Sequence, residues 1–218
     1  MKRFVIVGLG NFGASIAATL AADGHEVVAV DPVPARVDRM APLIERAVVG
    51  DATQRAVLEK AGCARADAAV VSVGDDIATS ILATLALKDL GIARVYVKVV
   101  SVEHARVMET QGATETVFPE RDSAIGLGHR LSGPAGLLNY VNLGPGFSVQ
   151  EMDVPTAWEG QTLRELNLRQ RYRVQVLALR DMESGVLVPV PDPDRRLTAA
   201  DALLMAGRER DLEKVARA

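Results

Sequence analysis

The chain has 218 residues, enough for one medium domain and a smaller one, and 49% of them are hydrophobic, ample for a buried core. Its net charge of −3 (Lys+Arg 25, Asp+Glu 28) comes without a basic block, which argues against DNA or RNA as a partner. The single cysteine, Cys63, rules out an internal disulfide and suits a reducing compartment. No apolar run approaches the ~18 residues of a membrane span, so a soluble chain is expected, with any membrane role reached through a partner.

The first half alternates strands and helices. A buried strand is expected at Arg3–Val7, then a helix from Phe12 to Ala22. A second strand, Val27–Val30, closes on Asp31-Pro32, and a helix follows at Pro34–Met40, with Pro34 at a tolerated first-turn position. The third strand is Arg46–Val49, after which Thr53 is expected to cap a helix Gln54–Ala61. Strand four is Ala68–Val73. A long helix Asp75–Leu90 is expected to turn Ile77, Ile81, Leu82 and Leu85 inward, with Asp75 and Asp76 as first-turn acids favoured by the helix dipole. Strand five (Val95–Val99), helix Val102–Gln111, strand six (Glu115–Phe118) and helix Glu120–Leu131 complete the series. The pattern predicts an α/β, Rossmann-like, doubly wound parallel six-stranded sheet with helices on both faces.

Composition changes after the Gly/Pro-rich stretch Ser132–Gly136, a candidate hinge. An apolar segment Leu137–Leu143 leads through the turn Gly144-Pro-Gly146 to a strand Phe147–Val154. A short helix is expected at Thr162–Leu168 with Leu163 and Leu166 inward. Strands follow at Val174–Arg180, Val186–Val190 and Ala202–Ala206, and a tail helix at Arg208–Arg217. Residues 1–134 are therefore expected to form the nucleotide-binding domain, and 135–218 a small C-terminal α+β domain in which Trp158 packs.

The chemistry begins at Gly8-Leu-Gly10-Asn11-Phe12-Gly13, a GxGxxG set between a strand and a helix. Gly8 makes the tight turn, Gly10 admits a pyrophosphate to the backbone, and Gly13 lets the helix pack on the strand. The helix start offers free N–H groups to phosphate. Asp31 lies 18 residues past Gly13, near the spacing of about 20 for the carboxylate that holds ribose hydroxyls. Its charge opposes a 2′-phosphate, while Arg36 leaves a cation nearby. The ligand of such a sheet lies at the strand carboxyl ends. That adds Asp51, Ala52 and Thr53 at the adenine edge, Ser72, Val73, Gly74 and Asp76 flanking the crevice, Lys98 near phosphate, and Glu120 as a ligand for a bridging Mg or Ca ion. Each of these side chains is also an ordinary helix cap or surface charge.

Other chemistry is missing. There is no GxxxxGK[ST] phosphate loop. No cysteine, histidine and carboxylate spacing makes a zinc site. His25, His104 and His129 are expected to be solvated, and Cys63 to be a partly buried structural thiol. An NAD-dependent oxidoreductase, the alternative from another class, lacks an evident acid or base for hydride transfer.

Taken in order, VIVGLGNFGASIA (5–17), GHEVVAVD (24–31), VVGDAT (48–53), YVKV (96–99), VFPERD (117–122), LLNYVNL (137–143) and LNLRQRY (166–172) resemble the RCK (KTN) regulatory subunits of Ktr/Trk potassium-uptake systems across nearly the whole chain. The resemblance implies an RCK_N domain that binds an adenine nucleotide (ATP, ADP or NAD(H)) and an RCK_C domain. It implies a homo-oligomeric ring, commonly an octamer, on the cytoplasmic face of a potassium-translocating membrane subunit, with no membrane insertion of its own and no bond broken. By that match Gly8, Gly10, Gly13, Asp31, Asp51, Thr53 and Lys98 are nucleotide contacts, and Glu120 is a cation ligand. One departure stands out: ATP-gated members often carry arginine where this chain has Asn11, which gives weight to ADP or NAD(H). Some relatives bind cyclic di-AMP between RCK_C modules, and Arg164, Asn167 and Arg169 are the polar candidates here, which a dimer interface explains equally well.

Overall fold

The computed structural model describes residues 1–74, 76–132 and 136–217. Asp75, an expected first-turn acid, and residues 133–135 of the expected hinge lie outside the described residues. The chain divides into two compact units, Met1–Glu120 and Arg121–Ala218.

The first unit is built on β1 (Arg3–Val7), β2 (Glu26–Asp31), β3 (Arg46–Val49), β4 (Ala68–Val71), β5 (Val95–Lys98) and β6 (Glu115–Val117). They form one parallel sheet in the order β3-β2-β1-β4-β5-β6. Parallel strands covered on both faces read as continuous apolar runs, as in β1, β2 and β4. Their alternation still decides which helix each residue meets. Val5, Val7, Val28, Val30 and Val71 share a core with Leu58, Ala83, Leu87 and Met108. These belong to α3 (Arg55–Ala61), α4 (Ile77–Asp89) and α5 (Val102–Thr110). Ile6, Val27, Ala29 and Val70 turn the other way, to Ala17, Val37 and Met40 on α1 (Asn11–Ala22) and α2 (Pro34–Met40). The chain order reverses between β1 and β4, the switch point of a doubly wound sheet.

Two helices differ from expectation. On α4 the buried residues are Ser80, Ala83, Thr84, Ala86 and Leu87, whereas Ile77, Leu82 and Leu85 are exposed. Apolar residues surround this helix, so periodicity could not choose a face; the small side chains let it approach the sheet. The second is α3, whose N-cap is Gln54 rather than Thr53, with no side-chain cap bond. The Thr53 hydroxyl donates instead to Asp51, 2.7 Å away.

Helix α6 (Pro119–Ser132) carries the chain across the unit boundary. The second unit holds β7 (Leu137–Gly144), β8 (Phe147–Asp153), β9 (Gln175–Asp181), β10 (Leu187–Pro189) and β11 (Asp201–Arg208). These pair antiparallel in the order β10-β9-β11-β8-β7. One face buries Met152, Leu179, Leu203 and Met205 with Trp158 and Leu212; Leu212 lies on α9 (Glu209–Val215). The expected single helix at Thr162–Leu168 is two short ones, α7 (Leu163–Leu166) and α8 (Leu168–Arg171). A capping box between Thr162 and Glu165 starts the first, and Asn167 at φ 45° breaks it. Asp201, 1% exposed, ties the loop before β11, accepting from Thr198 N (2.8 Å) and Arg195 Nη2 (2.8 Å).

Among the described residues, no helix is long and apolar enough to cross a membrane.

Candidate functional site

The carboxyl ends of β1, β2 and β4 enclose a cleft of about 340 Å³. Its floor is the glycine turn. The Gly8 amide donates to Val30 O at 2.9 Å, and its φ is +90°. A Cβ there would lie 2.1 Å from the Ser72 carbonyl oxygen. Only glycine therefore closes the turn against the loop after β4. A Cβ on Gly13 would lie 1.9 Å from the Gly8 carbonyl oxygen, so its absence sets how closely α1 approaches β1. Gly10 is different. It is the N-cap of α1 at φ −66°, ψ −177°, and a Cβ there would meet nothing within 4 Å. The protein itself leaves that space open, and no side chain caps α1. Its first-turn N–H groups are available to an anion.

Asp31 stands on the wall at the end of β2, 1% exposed. One oxygen accepts from Leu9 N (2.6 Å) and the other from Val33 N (2.8 Å). The backbone thus fixes the carboxylate, and lone pairs remain for a hydroxyl donor. Arg36 Nη1 approaches at 3.5 Å. Asp51 and Ala52 line the next edge. Asp51 accepts from the Thr53 hydroxyl and amide (2.9 Å), and these bonds hold it below the usual carboxylate range. Opposite lie Ser72, Val73 and Gly74, then Asp76 and Thr79. Asp76 is the N-cap of α4. It accepts from Thr79 N (2.9 Å) and Oγ1 (2.7 Å), and the same bonds lower its pKa.

Of the residues expected at the site, Gly8, Gly10, Asp31, Arg36, Asp51, Ala52, Val73 and Gly74 line this cleft together. Asn11, Phe12 and Gly13 form the first turn of α1. Lys98 and Glu120 stand apart from the lining, joined to each other in an ion pair. The Lys98 ammonium holds Glu120 below its ordinary range, so the carboxylate that was expected to bind Mg or Ca already has its cation. Among the described residues, no cluster of three or more His, Cys, Asp or Glu is placed to hold a metal ion. Thr79 was not anticipated; the spacing D-x-x-T at the start of a helix is the signal that could have found it.

Of the histidines, His129 is exposed as expected, His25 is half-buried and His104 departs from expectation. His104 is 1% exposed, with neither ring nitrogen hydrogen-bonded, because it lies on the α5 face that also carries Ala105 and Met108. His25 packs against the Phe4 ring, and His129 stacks on Tyr140 with centroids 4.2 Å apart. Cys63 is fully buried, and burial pushes its thiol up to about 11, the state of an inert structural cysteine.

In the second unit Leu163, Arg164, Asn167, Leu168, Arg169, Gln175 and Pro191 border a concavity of about 610 Å³. Arg164 is held by Asp194 through two bonds of 2.6 and 3.0 Å, and Asn167 Nδ2 donates to Gln170.

Comparison with known proteins agrees with this architecture. Residues 4–119 match the TrkA-N domain family and residues 149–218 the TrkA-C domain family. The Ktr system potassium uptake proteins C and A of Bacillus subtilis (strain 168) are each 32% identical over 213 residues, covering 98% of this chain and 95% of theirs. The solved structure of GsuK bound to ADP is 27% identical over 60% of this chain and 34% of its own, with a TM-score of 0.51. The chain thus spans about a third of that protein's length. With both domain families matched in order and full-length relatives at this identity, the chain belongs to the Ktr/Trk potassium-uptake regulatory family, a TrkA-N domain followed by a TrkA-C domain.

Proposed function

We propose that this chain is a nucleotide-sensing, non-enzymatic gating subunit of a potassium-translocating membrane partner. Copies of it form a ring, an octamer by resemblance, on the cytoplasmic face of that partner. The observation that carries the reading is the cleft at the switch point of the sheet, in a chain that matches Ktr system potassium uptake proteins along nearly its whole length. The ligand is an adenine nucleotide. Its pyrophosphate lies on the open backbone at Gly10 and the first turn of α1 (Asn11, Phe12, Gly13). Asp31 takes the ribose hydroxyls, with Arg36 beside it. Asp51, Ala52, Val73 and Gly74 flank the base and ribose, and Thr53 supports that rim from outside through Asp51, while Lys98, expected near phosphate, is paired with Glu120. Gating requires only that the nucleotide bind two ring states with different affinity; a tenfold difference moves the equilibrium by about 1.4 kcal/mol.

Thermal melting of the chain with ATP, ADP, NAD+ and NADH tests this. A ligand at 100 times its Kd raises native-state stability by about 2.7 kcal/mol, and Asp31→Ala should abolish that rise. No stabilisation by any of the four would refute the reading.

A second reading concerns the concavity bordered by Arg164, Asn167 and Arg169. Its size and its arginines suit a cyclic dinucleotide such as cyclic di-AMP. Binding lost on Arg169→Ala but kept on Asp31→Ala is the expected signature; no binding of cyclic di-AMP by the wild type would reject it.

A further inference from the structure

Among the described residues, three carboxylates line the cleft, Asp31, Asp51 and Asp76, against one guanidinium, Arg36. Arg36 is itself drawn to Asp31. Lys98, the other cation expected near phosphate, is taken by Glu120 and does not line the cleft. Asn11 begins α1 with a neutral amide. The start of α1 adds roughly half a positive charge, which suits one pyrophosphate and leaves a terminal phosphate uncompensated. Asp51 and Asp76 cannot relax this by taking up a proton, because the hydroxyl and amide of Thr53 and Thr79 stabilise their charged forms.

Resting on the nucleotide reading above, we propose that the cleft is a charge filter. It takes adenine nucleotides of low negative charge, NAD+ and AMP, in preference to ADP and ATP, and Asp76 is the residue that determines this selectivity. Asp31 has a ribose to hold, and Asp51 organises the turn to Thr53. The structural duty of Asp76 is to cap α4, and asparagine caps a helix about as well as aspartate. The fold therefore needs the oxygen at this position and not the charge. Across a cleft of this size, one charge changes affinity by about twofold per unit of ligand charge at low salt, and by less as the Debye length falls to ~8 Å.

Calorimetric titration of the full chain, in EDTA and low salt, with NAD+, AMP, ADP and ATP tests the filter. Affinity should fall in that order and the spread should narrow on adding salt. Asp76→Asn should improve ATP by about tenfold and NAD+ by about twofold, while Asp76→Glu should keep the wild-type order. The inference is overturned if ATP binds the wild type as tightly as AMP, if salt leaves the order and spread untouched, or if Asp76→Asn shifts all four ligands equally. Absence of binding by all four would instead remove the nucleotide reading itself. An unliganded melting midpoint for Asp76→Asn near that of the wild type establishes that the cap survives; should it fall, the salt series on the wild type still decides.

Discussion

Alanine substitutions at Gly10 and Gly13 separate ligand chemistry from folding, although both positions belong to one motif. At Gly13 the added methyl would stand 1.9 Å from the Gly8 carbonyl oxygen. That neighbour is backbone in a turn already pinned to Val30 O at 2.9 Å, so no rotamer relieves the overlap and α1 must move off β1. Overpacking of this kind costs about 1–3 kcal/mol or more. In a unit of this size that is a loss of roughly 4–15 °C in melting temperature. At Gly10 the added methyl meets nothing within 4 Å, and the backbone at φ −66° suits any residue. Alanine stiffens the unfolded chain, a gain of about 0.4–1 kcal/mol, but it is a poorer N-cap than glycine. The two offset, so stability should stay within about 1 kcal/mol of wild type. The methyl nevertheless fills the space a pyrophosphate needs, and affinity for ADP or NAD+ should drop at least tenfold, about 1.4 kcal/mol. Chemical denaturation without ligand and calorimetry with it measure the two quantities separately. Wild-type stability in Gly13→Ala, or wild-type affinity in Gly10→Ala, would refute the reasoning.

The second unit and the pH response offer further checks. Asp201→Ala removes the acceptor for the Thr198 amide and for Arg195 at a site 1% exposed, while the half-exposed Arg195 side chain can turn to water, and should cost about 1–3 kcal/mol in urea unfolding; a loss below about 0.5 kcal/mol would contradict the assignment. Burial depresses the His104 pKa below 6.5, so the folded protein binds this proton less readily than the unfolded chain. The stability His104 provides is whole above 6.5 and is lost as pH falls from there through the lowered folded value. Urea midpoints should fall between about pH 7.5 and 5.5, and His104→Leu should flatten that part of the slope; an unchanged slope would locate the effect elsewhere.

The glycine motif, the acid after the second strand and the alternation of strands and helices were legible in the chain because each has a local cause. A positive φ, a close approach or an apolar run announces itself within a few residues. Fates that depend on distant partners were not legible. Lys98 reads as a phosphate ligand until β5 and the start of α6 bring it to Glu120. The apolar residues of α4 point inward on paper, yet small side chains win the sheet-facing positions because they permit the closer approach.

The sequence by itself determined a doubly wound fold, a second small domain, the family and the glycine turn after the first strand, since these follow from periodicity, glycine stereochemistry and motif order. The tertiary structure alone decided the charge of the cleft. It paired Lys98 with Glu120, set Thr79 against Asp76 so that its carboxylate stays ionised, and left Arg36 to balance three acids among the described residues. Net charge in a cleft is a sum over side chains from separate strands and helices, and only folding determines which of them enter the sum.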